Sequence, residues 1–207
     1  MDPENIKLFY VKRVANIFLR EYHPSLKLPV PIEEIAELKL KIKIILIPRL
    51  IKNFGVNAFL NHTFDTIVID EFMYIKQPDR IRFTLAEEVG HLILHKEWYS
   101  KHGPSSLENY YKWVENLDAK TYAYVERQAK TFASFILMPE EKVMEVMSQF
   151  AKQYGLKLPC SVLDLPDSWP DLAKAFEVSV HSFLIRLSQL ELVNVPDRVW
   201  KKVSRGL

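Results

Sequence analysis

The sequence predicts an α+β fold: a small mixed sheet, a larger helical body and a C-terminal helical subdomain. Three observations carry this expectation. Period-two alternation is confined to a few short runs in the first third of the chain. Apolar residues at helical spacing dominate from residue 78 onward. Of the 207 residues, 48% are apolar, enough to bury a core of domain size. Few strands followed by many helices is the α+β pattern, not the alternation of a parallel α/β sheet.

Taken in order, Leu8, Val11, Val14, Ala15, Phe18 and Leu19 mark a helix over 6–22. Pro29 and Pro31 follow, and Ile32-Glu33-Glu34-Ile35-Ala36 reads as a second helix. Residues 38–47 alternate Leu-Lys-Leu-Lys-Ile-Lys-Ile, the period of a half-buried strand, until Pro48 stops it. Two short strands are expected at 58–60 and 66–69. The polar Asn61-His62-Thr63 and Asp65 between them point to a hairpin. Pro78-Asp79 opens a long helix to about 96, since proline suits a first turn and aspartate its positive end. Leu85, Val89, Leu92 and Ile93 give that helix an apolar face. A short helix is expected at 106–115, a strong one at 121–138 ended by Pro139, and another at 140–154. The proline-rich stretch 156–170 reads as a linker. Residues 171–193 read as two short helices, with Ser179 capping the second. The expected division is a main domain over 1–155 and a linker with helical subdomain over 156–207.

Composition narrows the function classes. Lys and Arg number 28 against 26 Asp and Glu, for a net charge of +2. That balance gives no electrostatic case for nucleic acid, membrane or acidic substrates. The helices of 171–193 resemble a helix-turn-helix reader in outline. Yet 171–207 holds only six Lys/Arg against four Asp/Glu, a feeble basic bias for phosphate contacts. Direct nucleic-acid binding is therefore not expected. Cys160 is the single cysteine, which rules out an intrachain disulfide. The N-terminus is polar, and the most apolar stretch, 38–51, is broken by Lys39, Lys41, Lys43 and Arg49. The expectation is a cytoplasmic protein without a membrane partner.

The chemistry concentrates in Arg82-Phe83-Thr84-Leu85-Ala86-Glu87-Glu88-Val89-Gly90-His91-Leu92-Ile93-Leu94-His95. On a helix, Glu87 and His91 project together, and Glu88 sits one position round the axis. This is the layout of the H-E-x-x-H zinc motif, where side chains at i and i+4 bind metal and the intervening glutamate handles a proton. Here the first position is glutamate. Open catalytic sites use about three protein ligands. Glu126, Ala129 and Ala133 share a face of the later helix, and the alanines allow close approach, so Glu126 is the candidate third donor.

Arg-Phe-Thr-Leu-Ala-x-Glu-x-Gly-His-Leu-x-Leu-His is similar to the signature of the ImmA/IrrE metallopeptidases. So is Glu126-x-x-Ala129-x-x-Phe132-Ala133-x-x-x-Leu137-Met138-Pro139. The resemblance covers most of the chain and is weakest over 96–125. It implies a zincin-like metallopeptidase core carrying one divalent metal ion. By position, Glu87 stands at the first histidine ligand, His91 at the second, Glu126 at the glutamate ligand and Glu88 at the general base. Zinc is the family's metal. The extra carboxylate at Glu87 brings a divalent site to neutrality, and harder oxygen donors move preference towards manganese or iron. The implied substrate is a protein or peptide, typically a helix-turn-helix repressor. The alternative is a catalytically degenerate member that binds a protein in a toxin–antitoxin or phage-regulation system.

His95, four residues after His91, is a possible auxiliary donor. The other histidines carry no spacing signal, and Cys160 has no partner histidine in its sequence context. Residues 96–125 are rich in aromatics, among them Trp98, Tyr99, Trp113, Tyr122 and Tyr124. They are expected to be extra packing or a lid or binding surface at the cleft, where one tyrosine could face an oxyanion.

Overall fold

The computed structural model describes residues 2–103, 109, 113 and 116–203, the last three without their side chains. Its contacts group the chain into two compact units, Met1–Ser25 with Val30–Leu137, and Leu26–Pro29 with Met138–Leu207. Contact density thus groups 138–155 with the C-terminal residues, whereas linker composition places a boundary at 155.

In the first unit, α1 (Leu8–Tyr22) buries Val11, Ala15, Phe18 and Leu19 of the stripe its spacing predicts, while Val14 is half-buried and Leu8, at the helix start, is exposed. Phe18 meets Phe132 edge to face at 5.4 Å between ring centroids. The second helix, α2 (Ile32–Glu34), widens into a π turn over Ile35–Lys39. This corrects the expected strand at 38–47. Leu40 N–H donates to the Ile35 carbonyl and Ile42 N–H to that of Ala36, so helical hydrogen bonds claim this backbone. Lys41 then turns the chain at a φ of 60°. Only Lys43–Ile47 remains as strand β1.

The sheet is mixed, as expected. Its order is β1–β3–β2, with β2 at Ala58–Leu60 and β3 at Thr66–Asp70. β1 runs parallel to β3, pairing Lys43 with Thr66 and Ile47 with Asp70. β2 and β3 form the predicted antiparallel hairpin, pairing Ala58 with Ile69 and Leu60 with Ile67. The sequence pattern marks neither of two short helices of this unit, α3 (Leu50–Phe54) and α4 (Glu71–Lys76). Each is too short to show a period. Asp70, buried between them, serves both: one oxygen accepts from Met73 N–H at 3.0 Å, the other from Ile51 N–H at 3.1 Å.

The two long helices of this unit are α5 (Pro78–His102), which runs past the expected end near 96, and α6 (Ala119–Leu137). They pack closely because Gly90 faces Ala129. A Cβ added at Gly90 would lie 3.1 Å from the Ala129 carbonyl oxygen and 3.2 Å from its Cα. Ala129 and Ala133 are fully buried. The helix expected at 106–115 lies largely outside the described residues.

In the second unit, α7 (Glu140–Tyr154) matches its predicted span and ends at Gly155 in the left-handed conformation. The expected linker is partly ordered structure, because Val162 and Leu165 find apolar burial. It contributes strand β4 (Cys160–Ser161), which pairs with β5 (Val193–Asn194). A 3-10 helix over Trp169–Phe176 precedes α8 (Val180–Gln189), whose first turn Ser179 caps by accepting from Ser182 N–H. The buried Arg186 donates through Nε to the Met138 carbonyl. A last helix, α9 (Asp197–Val203), closes the described chain. Among the described residues, no helix is long and apolar enough to cross a membrane.

Candidate metal centre

The close approach of α5 and α6 decides where the chemistry sits. Glu87 and His91, one turn apart on α5, face Glu126 on α6. One ligand atom from each lies within 4.8 Å of the other two, a spacing a single metal ion can bridge. His91 Nε2 stands 3.6 Å from Glu126 Oε1. The donor set of one imidazole nitrogen and two carboxylate oxygens fits a divalent cation. These groups open into a cleft of about 220 Å³, walled on one side by 55–60 and on the other by Tyr99 and Tyr122.

Glu88 projects beside the donors, and its Oε2 accepts a hydrogen bond from Leu60 N–H at 2.8 Å. Leu60 belongs to the edge strand β2, so the sheet fixes this carboxyl in the cleft. Burial, then the charges of Glu87 and Glu126, push the Glu88 pKa well above the carboxylate range; the Leu60 N–H opposes them. Glu87 is pushed up to about 7, by burial and by Glu126, against the pull of Lys130. Burial and the Lys130 charge hold His91 down at about 3, so its ring is neutral at ordinary pH, as a metal-binding imidazole must be. Tyr122 is raised by burial and by Glu126, which keeps its hydroxyl protonated.

Lys130 was not singled out by sequence reasoning. Its Nζ lies 3.1 Å from Glu126 Oε2 and 3.6 Å from Glu87 Oε1, with the side chain about half exposed. Burial alone would lower its pKa, but the two carboxylates prevail and raise it. The only available signal was its position four residues after Glu126, a spacing common on solvated helix faces.

His95 lies outside the donor group. Its ring is almost fully buried and turned towards Gln128, whose Oε1 is 2.9 Å from His95 Nε2. The His95 Nδ1 is 3.3 Å from His91 Nδ1, the ring nitrogen other than the Nε2 that faces Glu126. Nothing in the sequence marked Gln128. Of the aromatic insertion, Tyr99 stacks edge-on to His91 at 5.5 Å and also contacts Trp113. Tyr110 and Tyr111 lie outside the described residues.

The family model described as the IrrE N-terminal-like domain, of a peptidase family, matches residues 40–188. No curated protein matches the chain. Among solved structures, a Mycobacterium tuberculosis transcriptional regulator has a similar fold, with a TM-score of 0.55 at 14% identity. The match covers 90% of this chain and 48% of that one, so this chain spans about half the length of the protein it resembles.

Proposed function

The chain belongs to the IrrE N-terminal-like peptidase family, and we propose that it is a divalent-metal-dependent endopeptidase that cleaves a repressor-type regulatory protein. The observation that supports this most is the grouping of Glu87, His91 and Glu126 within ligand distance, with the Glu88 carboxyl beside them. A divalent ion held by these three would supply Lewis acidity to the scissile carbonyl. Glu88 is the proton acceptor for the attacking water. One of its oxygens is held by Leu60 N–H, which leaves the other for the proton. Burial and the charges of Glu87 and Glu126 raise its affinity for a proton, which strengthens it as an acceptor. The Tyr122 hydroxyl, protonated and lining the cleft, is placed to donate to a developing oxyanion. The outward edge of β2 offers main-chain groups to an extended peptide lying along the cleft. The repressor-type substrate rests on the family resemblance.

Lys130 favours a second reading. An ammonium already pairs with two of the three metal donors, which is what a protein-binding member without catalysis would retain. One experiment separates the two. The purified chain is titrated with zinc, manganese and ferrous iron by calorimetry. It is then incubated with a lysate-derived peptide library read by mass spectrometry. The enzyme reading expects one ion bound per chain and cleavage that vanishes with chelator and with Glu88→Gln. Glu87→His is expected to move preference towards zinc. Cleavage that survives Glu88→Gln, or a wild-type chain that binds no ion, overturns the enzyme reading.

A further inference from the structure

A chain of hydrogen bonds runs from the N-terminal segment to the back of His91, and its polarity is fixed at one end. Gln128 on α6 is buried. Its side-chain nitrogen donates to the carbonyls of Pro3 at 2.7 Å and Ile6 at 2.8 Å. Both partners are acceptors only, so they use both amide hydrogens and leave no freedom to flip the amide. The Gln128 oxygen therefore faces His95 Nε2, 2.9 Å away, and that nitrogen must carry the hydrogen.

The rest follows from neutrality. His91 and His95 are 4% and 1% exposed, and burial of both rings keeps them uncharged. A neutral His95 with its hydrogen on Nε2 presents a bare Nδ1. That atom lies 3.3 Å from His91 Nδ1, a contact that bonds only if His91 carries its hydrogen there. The Tyr99 hydroxyl oxygen, 3.5 Å from the same nitrogen, serves as a second and more distant acceptor. His91 Nε2 is then bare and faces Glu126 Oε1.

We infer that Gln128 is a positioning residue: anchored on the Pro3 and Ile6 carbonyls, it sets the tautomer of His91 through His95 and presents the Nε2 lone pair to the cleft. The value of this arrangement rests on reading His91 as a metal ligand. The tautomer itself does not, and the two can fail separately. A ligating imidazole is commonly oriented by what its other nitrogen bonds to. Here that partner is a second imidazole, referenced through Gln128 to the main-chain carbonyls of Pro3 and Ile6 in the N-terminal segment.

The test uses the full chain labelled with ¹⁵N at histidine, in chelator at pH 7.5. Long-range proton–nitrogen correlations report which ring nitrogen is protonated. The expected result is His91 protonated on Nδ1 and His95 on Nε2. In Gln128→Met, of similar volume but without an acceptor, His91 is expected to become a mixture of tautomers. Zinc affinity measured by calorimetry is expected to weaken by about tenfold or more, within the usual range for partners of metal ligands. A wild-type His91 protonated on Nε2 overturns the inference without any mutant having to fold. So does a folded Gln128→Met with unaltered histidine tautomers. Wild-type protein with the expected tautomers but no zinc binding sustains the positioning role and removes the metal-ligand reading alone.

Discussion

Replacing Glu87 by glutamine should change how the stability of the metal-free protein depends on pH. The Glu87 carboxyl is held at about 7, against an ordinary 4.5, because it is buried beside Glu126. A carboxyl raised in the folded state binds its proton more tightly there than in the unfolded chain. Its contribution is therefore fully present below about pH 4.5 and is lost as pH climbs through about 7. At about 1.4 kcal/mol per pH unit, that interval corresponds to about 3 kcal/mol. The side chain is 15% exposed, so little of this is screened by solvent. For a chain of this size, about 3 kcal/mol is a fall of roughly 6–12 °C in Tm.

The assay is thermal unfolding followed by circular dichroism, in chelator, from pH 4.5 to 8. Wild-type protein is expected to lose that stability over the range. Glu87→Gln, which mimics the protonated carboxyl, is expected to lose much less, and the difference between the two curves is the quantity of interest. The same ionisation should appear in metal binding. A divalent ion at a hundred times its Kd adds about 2.7 kcal/mol at pH 8. At pH 5 it adds little, because Glu87 holds its proton. Parallel pH curves for the two proteins would refute the assignment of a buried, charge-crowded carboxyl at this position.

Two further perturbations probe the same centre. Lys130→Gln removes the ammonium that competes with an incoming cation. With two partly exposed ion pairs worth up to about 1 kcal/mol each, divalent-ion affinity should tighten about tenfold; an unaltered Kd by calorimetry would contradict the competition. Gly90→Ala places a methyl against the Ala129 backbone, which cannot yield as a side-chain tip could. Overpacking should outweigh the gain in helix propensity by about 1 kcal/mol, lower Tm by roughly 2–4 °C and weaken metal binding. A Tm equal to wild type would show that the two helices are not held at contact there.

What was legible in the sequence was what depends on local periodicity. Glu87 and His91 share a face because a helix has 3.6 residues per turn. Ala129 and Ala133 marked the close contact because only small residues allow it. The β2–β3 hairpin was legible from its polar turn. Leu-Lys alternation points to a strand over 38–47, but it carries no sign of the π turn that claims Leu38 and Lys39. The roles of Asp70, Gln128 and Lys130 are not legible for a common reason: each has, besides any local partner, one far away in sequence. Asp70 accepts from Ile51, Gln128 donates to Pro3, and Lys130 pairs with Glu87. His95 was expected as an auxiliary donor because the i, i+4 rule places it near His91. That rule fixes neighbourhood but not the direction of a ring, and the Gln128 oxygen turns this one away from the cleft.

Glu87 and Lys130 bear on one another. With Glu87 in place of an imidazole, three carboxylates crowd one cleft, and their mutual repulsion together with burial raises the pKa of two of them. Lys130 is the cation that offsets this, and it reaches Glu87 and Glu126 from the half-exposed side of the cleft. A divalent ion held by Glu87, His91 and Glu126 would need both of these carboxylates, so binding it would require Lys130 to release them and Glu87 to give up its proton. Both costs fall on binding and neither falls on the geometry of the bound site. The affinity of this centre should therefore depend steeply on pH and on residue 130, while the placing of its donors depends on Gly90, Ala129 and the packing of α5 on α6.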